Sequence, residues 1–174
     1  MNRRVTLVDT VGSAAGEMDV VEAHTAPGYV HIACSAVLFG PDDTVLLQRR
    51  ADHKATFGGY WSNTCCTHPY SDEVPHQAAQ RRLHEELGIA VELRPVGTFR
   101  YRAEDPVTGM VEHELDHVSI ATLGTTDLAF HLDRNEVAEV AFVPIADVAT
   151  DVATLNLTPW FDMVLRIARC GQNA

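Results

Sequence analysis

The sequence predicts a mixed α/β (α+β) fold, with a β-sheet sandwiched between helices. Three observations carry this. A β-rich apolar run from Tyr29 to Phe39 stops at the turn sequence GPDD and is followed by TVLLQRR. A helical period then runs from Pro75 to Gly88. Strand-like segments come next, before a last amphipathic stretch ending near Cys170. Strands interleaved with helices must bury a sheet face against a helix stripe, which is the layered architecture of this class.

Taken in order, residues 4–8 (RVTLV) read as a short strand, in a segment 1–28 of weak periodicity with Gly12, Gly16, Pro27 and Gly28. Tyr29–Arg50 reads as a β-hairpin turning at Gly40–Asp43. Residues 51–73 form a long loop holding Gly58, Gly59 and Pro69, with Phe57 and Trp61 as aromatic anchors. Loops of that length in a compact domain usually carry function. Pro75 suits a first helical turn, Ala79, Leu83 and Leu87 repeat at i, i+4, and Gly88 suits the stop. Strands are expected at 89–93, 96–102, 112–123 and 137–143. Pro144 opens a short helix IADVATDV, and Thr158 with Pro159 caps the final one.

A length of 174 residues fits one domain, 1–174, in which residues 1–22 are an N-terminal extension and possible lid. With 46% hydrophobic and 21% charged residues the composition is that of a soluble globular protein. A net charge of -11 argues against nucleic-acid binding, which needs a basic surface. An anionic substrate would have to be caught by a few local cations or by metal ions. The start MNRRVTLVDT lacks an apolar signal region, and no apolar run reaches membrane-spanning length. Cys34, Cys65, Cys66 and Cys170 form neither a zinc knuckle nor a disulfide framework, so a reduced cytoplasmic setting is expected.

The segment R81-R82-L83-H84-E85-E86-L87-G88-I89 sets Arg81 over Glu85 and Arg82 over Glu86. Alone, that pattern describes a solvated face with two ion pairs. With Glu73 eight positions before Arg81, the segment resembles the Nudix box. That box runs Gly, five residues, Glu, seven residues, then Arg-Glu-apolar-x-Glu-Glu-x-Gly-apolar. Two positions depart from it: Thr67 stands at the glycine and Arg82 at a glutamate. In the hydrolases of that family the carboxylates gather Mg²⁺ to activate water against a diphosphate. A cation at 82 weakens such a cluster and offers a phosphate ligand instead.

Outside the helix, His24 lies seven residues before His31, the loop reads GYWSNTCCTHP from Gly59 to Pro69, and VEHEL puts Glu112 and Glu114 on one face of a strand. Each is weak alone, since a single histidine is usually a surface or core residue. Together they supply three imidazoles and two carboxylates, a donor set suited to Zn²⁺, Mn²⁺ or Mg²⁺. These motifs, with FRYR at 99–102 and the RRL-x-x-EELG helix, are similar to the type I isopentenyl diphosphate isomerases from about His24 to Trp160.

That resemblance implies a divalent metal on His24, His31, His68, Glu112 and Glu114. It also implies Mg²⁺ at Glu86 with the substrate diphosphate, and Arg50, Lys54 and Arg82 as diphosphate ligands. Cys66 and Glu114 would be the acid–base pair, Cys66 rather than Cys65 because it stands two residues before His68. Moving a double bond by adding and removing protons passes through a tertiary carbocation, which an alkene yields only to a strong acid or a stabilising site. Tyr101 would join Glu114 at the proton. The ring of Trp160 would either offer cation–π stabilisation, worth ~2 kcal/mol when desolvated, or anchor the last helix in the core. The related enzymes usually carry a lysine four or five positions before the first metal histidine, where this chain has Asp19 and Val20. That loss motivates a competing expectation, the same proton chemistry on a longer prenyl diphosphate. A Nudix pyrophosphohydrolase and a non-catalytic binding module are further alternatives.

Overall fold

The computed structural model describes residues 4–150 and 156–173. In chain order these form β1 (Arg4–Val8), β2 (Ala14–Asp19), α1 (Val20–His24), β3 (His31–Gly40), β4 (Thr44–Arg50), β5 (Trp61–Ser62), β6 (Cys65–Thr67), α2 (Pro75–Leu87), β7 (Arg94–Glu104), β8 (Val111–Thr122), β9 (Val137–Pro144), α3 (Ile145–Thr150) and α4 (Phe161–Gln172). The strands join in one mixed sheet with helices on both faces, as the α+β expectation requires.

β3 organises that sheet. Its sequence HIACSAVLFG is apolar at nearly every position because both of its faces are covered. Cys34, Ala36 and Leu38 pack toward α2, against Ala78, Ala79, Leu83 and Leu87. Val37 and Phe39 point the other way, toward Phe161, Val164 and Ala168 of α4. One edge of β3 runs parallel to β8, from His31 opposite Glu114 to Phe39 opposite Thr122. The other edge is shared by β1, β6 and β4.

The apolar repeat of α2 is fully buried, and Pro75 occupies its first turn. Gly88 ends it with φ 73°, its N–H bonded to the His84 carbonyl. A Cβ there would lie 2.7 Å from His131 Cβ, so the left-handed cap and the close approach both require glycine. Leu83 is 0% exposed at the centre of this layer. Leu83→Ala is expected to cost ~2–5 kcal/mol through lost burial and the residual cavity, read from urea unfolding.

Several elements differ from the sequence expectation. The Tyr29–Arg50 hairpin exists only at its turn: β3 and β4 pair at Phe39–Val45 and Gly40–Thr44, then separate. β4 instead runs along β9. The edges freed by this splay are filled by β5 and β6, out of the segment expected to be a loop. Residues 89–93 form no strand. Ile89, Val91 and Leu93 alternate because they pack against the α2 layer, without a ladder partner. Thr158 does not cap α4 with its side chain, since its hydroxyl meets that of Ser62 at 2.9 Å. The cap position is Trp160, which makes no side-chain bond there. The last two residues of the expected helix IADVATDV lie outside the described residues.

Candidate active site

Strand register assembles the site on the α4 side of the sheet. In β8, Glu112, Glu114 and Asp116 alternate onto the same face as Val118 and Ile120. Parallel pairing sets His31 of β3 beside Glu114, and antiparallel pairing sets Tyr101 of β7 opposite Glu114. On the other edge of β3, β6 sets Cys66 opposite Ser35. Alternation within β6 separates the adjacent thiols: Cys65 is buried in the α2 layer, whereas Cys66 lines a cavity of about 320 Å³. α1, capped by the Asp19 carboxylate on the N–H groups of Val21 and Glu22, delivers His24 to the same place.

His24, His31, His68, Glu112 and Glu114 each aim one ligand atom inward, all within 4.8 Å of one another. Nδ1 of His24 donates to the Val20 carbonyl and Nδ1 of His31 to the Tyr29 carbonyl, both at 2.7 Å. Each ring therefore turns a bare Nε2 lone pair inward when neutral. His24 Nε2 then faces Glu112 Oε2 at 2.9 Å, and His31 Nε2 faces His68 Nε2 at 3.1 Å. Such converging acceptors need shared protons or a cation between them. The donor set fits a divalent metal ion.

The clustered groups shift one another's protonation. Burial works against the charged form of His24, but the Glu112 carboxylate outweighs it and raises the pKa to about 9. Burial lowers His68 to about 4. Glu114 is buried too, yet its contacts with His31 and His68 hold it well below the usual carboxylate range. Burial and the Glu114 charge push Tyr101 well above its ordinary value, so its hydroxyl stays protonated and donates to Glu114 Oε2 at 2.6 Å. Burial and Asp116 push the Cys66 thiol up to about 12. At neutral pH the two edges of β3 thus carry opposite protonation states, a thiol at Cys66 and a carboxylate at Glu114.

A stability dependence follows. Burial, then Glu114, raises Asp116 to about 8 from 3.8, and His24 rises to about 9 from 6.5. Both groups bind protons more tightly in the folded state, so their contribution falls as pH rises through those values. His68 acts with the opposite sign, but only below 6.5. Chelator-treated protein is therefore expected to lose melting temperature steadily between pH 6.5 and 9. Protein loaded with a divalent metal, which replaces the His24 proton, is expected to lose less. Equal slopes in the two thermal titrations would contradict this.

Trp160, 3% exposed, packs edge-on to Phe57 at 5.2 Å and tilted to Tyr101 at 5.6 Å. It is a core anchor, and the same residue lines the cavity, with its Nε1 buried and without a hydrogen-bond partner. Part of the cavity lining is cationic. Arg50, Lys54 and Arg82 all contribute to it, from β4, the following loop and α2. Arg82 Nε lies 2.8 Å from Glu86 Oε1, and Glu86 is 2% exposed. Burial pushes the Glu86 carboxyl up, and its Oε2 has no partner among the described residues, an orphaned acceptor that fits a cation.

Five residues here were not singled out from the sequence. Asn63 Oδ1 accepts from the Cys66 thiol at 3.2 Å. Ser35 Oγ stands 3.4 Å from that sulfur and donates to Asp116 at 2.7 Å. Thr56 donates to Glu112 at 2.5 Å, and Glu136 pairs with both Lys54 and Arg82. Asp116 had a legible signal, as it continues the alternation of Glu112 and Glu114. Asn63 had one too, as part of the loop motif around Cys66, while Ser35, Thr56 and Glu136 have none beyond their place in the fold.

A model of the NUDIX domain matches residues 30–161. The isopentenyl-diphosphate Delta-isomerase of Nocardia farcinica is 49% identical over 166 residues, covering 94% of this chain and 93% of that protein. The one from Streptomyces griseus subsp. griseus is 44% identical over 164 residues, covering 94% and 82%. A crystal structure from Deinococcus radiodurans matches with a TM-score of 0.71 at 18% identity, over 97% of this chain and 99% of that one, a likeness of fold alone. The chain thus belongs to the Nudix family and, within it, to the group of the isopentenyl-diphosphate Delta-isomerases.

Proposed function

We propose that this protein interconverts isopentenyl diphosphate and dimethylallyl diphosphate by proton addition and removal through a tertiary carbocation. The observation that carries the reading is the composition of one cavity. A thiol, a tyrosine–carboxylate pair and three cations all line it. The substrate needs both sets of groups, being a small alkene tied to a diphosphate.

In this reading Arg50, Lys54 and Arg82 bind the diphosphate, and Mg²⁺ joins it beside Glu86. A Zn²⁺, Mn²⁺ or Mg²⁺ ion on His24, His31, His68, Glu112 and Glu114 would keep Glu114 ionised and fixed in place. Cys66 and Glu114 then act as the acid–base pair, with the Tyr101 hydroxyl carrying a proton at Glu114 Oε2. One member of the pair gives a proton to carbon as the other takes a proton from carbon, and exchange of both groups with solvent restores them for the next turnover. The Trp160 ring faces the developing cation without a nucleophile that would trap it. The N-terminal segment serves as a lid in the same reading, which the presence of Val20 and Val21 in the cavity lining supports. A cytoplasmic setting belongs to the same reading, which the four free thiols suit. Among the described residues no helix is long and apolar enough to cross a membrane.

The apolar pair Val20 and Val21 in the cavity lining is the one feature that favours a longer prenyl chain. A hydrolytic reading fares worse, because Arg82 stands where the box of the hydrolases has a glutamate and so removes a carboxylate from a water-activating cluster. The deciding experiment incubates purified protein and Mg²⁺ with isopentenyl diphosphate or a longer prenyl diphosphate, following isomer and phosphate together. Dimethylallyl diphosphate without phosphate supports the proposal. Turnover of the longer substrate alone, or phosphate release, overturns it.

A further inference from the structure

Two of the three cations that line the cavity are already paired with carboxylates. Lys54 Nζ pairs with Glu136 Oε2, and Arg82 Nη2 lies 2.5 Å from Glu136 Oε1. Arg82 also meets Glu86 at 2.8 Å and Glu85 at 3.1 Å. Arg50 spends one nitrogen on the Thr56 carbonyl at 2.9 Å, and its buried Nε has no partner. Lys54 and Arg82 therefore already share an anion inside the cavity, and a diphosphate entering alone must displace it to reach them.

Glu136 is the carboxylate best placed to matter. Its two oxygens divide between Lys54 and Arg82, the way two oxygens of a phosphate would. Its side chain is 23% exposed and lines the cavity. The backbone holds it there from two sides. Asp133 N–H donates to the Glu86 carbonyl at 2.9 Å, tying the 133–136 turn to the end of α2, and Ala51 N–H donates to the Glu136 carbonyl at 2.9 Å. Although burial works the other way, Lys54 and Arg82 bring the Glu136 pKa down to about 2, so the group is an anion at any working pH.

We propose that Glu136 stands in for diphosphate in the free enzyme, holding Lys54 and Arg82, and makes diphosphate entry depend on a divalent cation that balances its displaced charge. This rests on the assignment of Arg50, Lys54 and Arg82 to the diphosphate. It turns Glu136 from a structural ion pair into a competitor, and the two roles differ in sign. Loss of a structural pair loosens the site and weakens binding. Loss of a competitor frees two cations and tightens it.

The test is calorimetric titration with inorganic diphosphate, with and without Mg²⁺, on wild type, Glu136→Gln and Lys54→Ala. Wild type is expected to bind much more tightly with Mg²⁺. Glu136→Gln is expected to bind diphosphate without Mg²⁺ about tenfold more tightly than wild type, with the Mg²⁺ effect reduced by a similar factor. Unchanged or weaker metal-free binding in Glu136→Gln, while Lys54→Ala weakens binding, would overturn the role of Glu136 alone. No effect of Lys54→Ala would remove the diphosphate assignment and the inference with it. If Glu136→Gln does not fold, Glu136→Asp serves: its shorter carboxylate cannot span both cations, and metal-free binding should again exceed wild type. Wild-type affinity in that variant would count against the proposal.

Discussion

Cys66→Ala is expected to lower isomerisation by at least ~10²–10⁴-fold, the range over which a positioned acid–base group acts, while leaving the metal content unchanged. The sulfur lies on the cavity side of β6, bonded to Asn63 at 3.2 Å and near Ser35 at 3.4 Å, and outside the His/Glu cluster. Removing it empties a small volume and deprives no buried charge of its partner. Cys65→Ala is the matched control, because that thiol sits in the opposite layer against α2 and is 0% exposed. It should cost stability and spare turnover. Kinetics on both variants, with metal analysis, checks the assignment. Substantial turnover in Cys66→Ala would remove the thiol from the reaction.

Glu114→Gln is expected to fail in two measurements at once. Glu114 Oε1 lies 3.0 Å from His68 Nε2 and 3.6 Å from His31 Nε2, while Oε2 accepts a hydrogen bond from the Tyr101 hydroxyl at 2.6 Å. One carboxylate therefore joins the metal cluster to the proton-carrying group. Even outer partners of metal ligands change affinity by ~10–100-fold, so loss of a direct ligand should exceed that. The rate should fall with the ~10²–10⁴ of a lost acid–base group even at saturating metal. Metal titration followed by turnover of the loaded variant separates the two. Retained metal with retained rate would leave Glu114 with neither task.

What could be read from residues alone follows from where local pattern and tertiary environment agree. α2 was legible because its buried repeat, its opening proline and its terminal glycine all point the same way. β2 was not, because AAGEMD has four exposed positions and no apolar alternation, and the strand exists through its ladder to β1. β5 and β6 are too short to show a period and form by completing edges left open elsewhere. The segment 89–93 shows the reverse error, an alternation that reports burial without pairing. At the site, Glu112 and Glu114 share a strand face by period alone. The convergence of His24, His31 and His68 on them depends on pairings between distant segments that no local signal encodes, the parallel register of β3 and β8 among them. Glu136 lies 54 positions beyond Arg82 and was invisible for the same reason.

The central claim is proton transfer to and from carbon within one cavity, and its most direct test is turnover of isopentenyl diphosphate in D₂O followed by NMR. Both the Cys66 thiol and the Tyr101 hydroxyl exchange with solvent, so each proton delivered to carbon should arrive as deuterium. The account predicts dimethylallyl diphosphate with deuterium in its carbon skeleton and no inorganic phosphate. Unlabelled isomer, or orthophosphate without isomer, would contradict it.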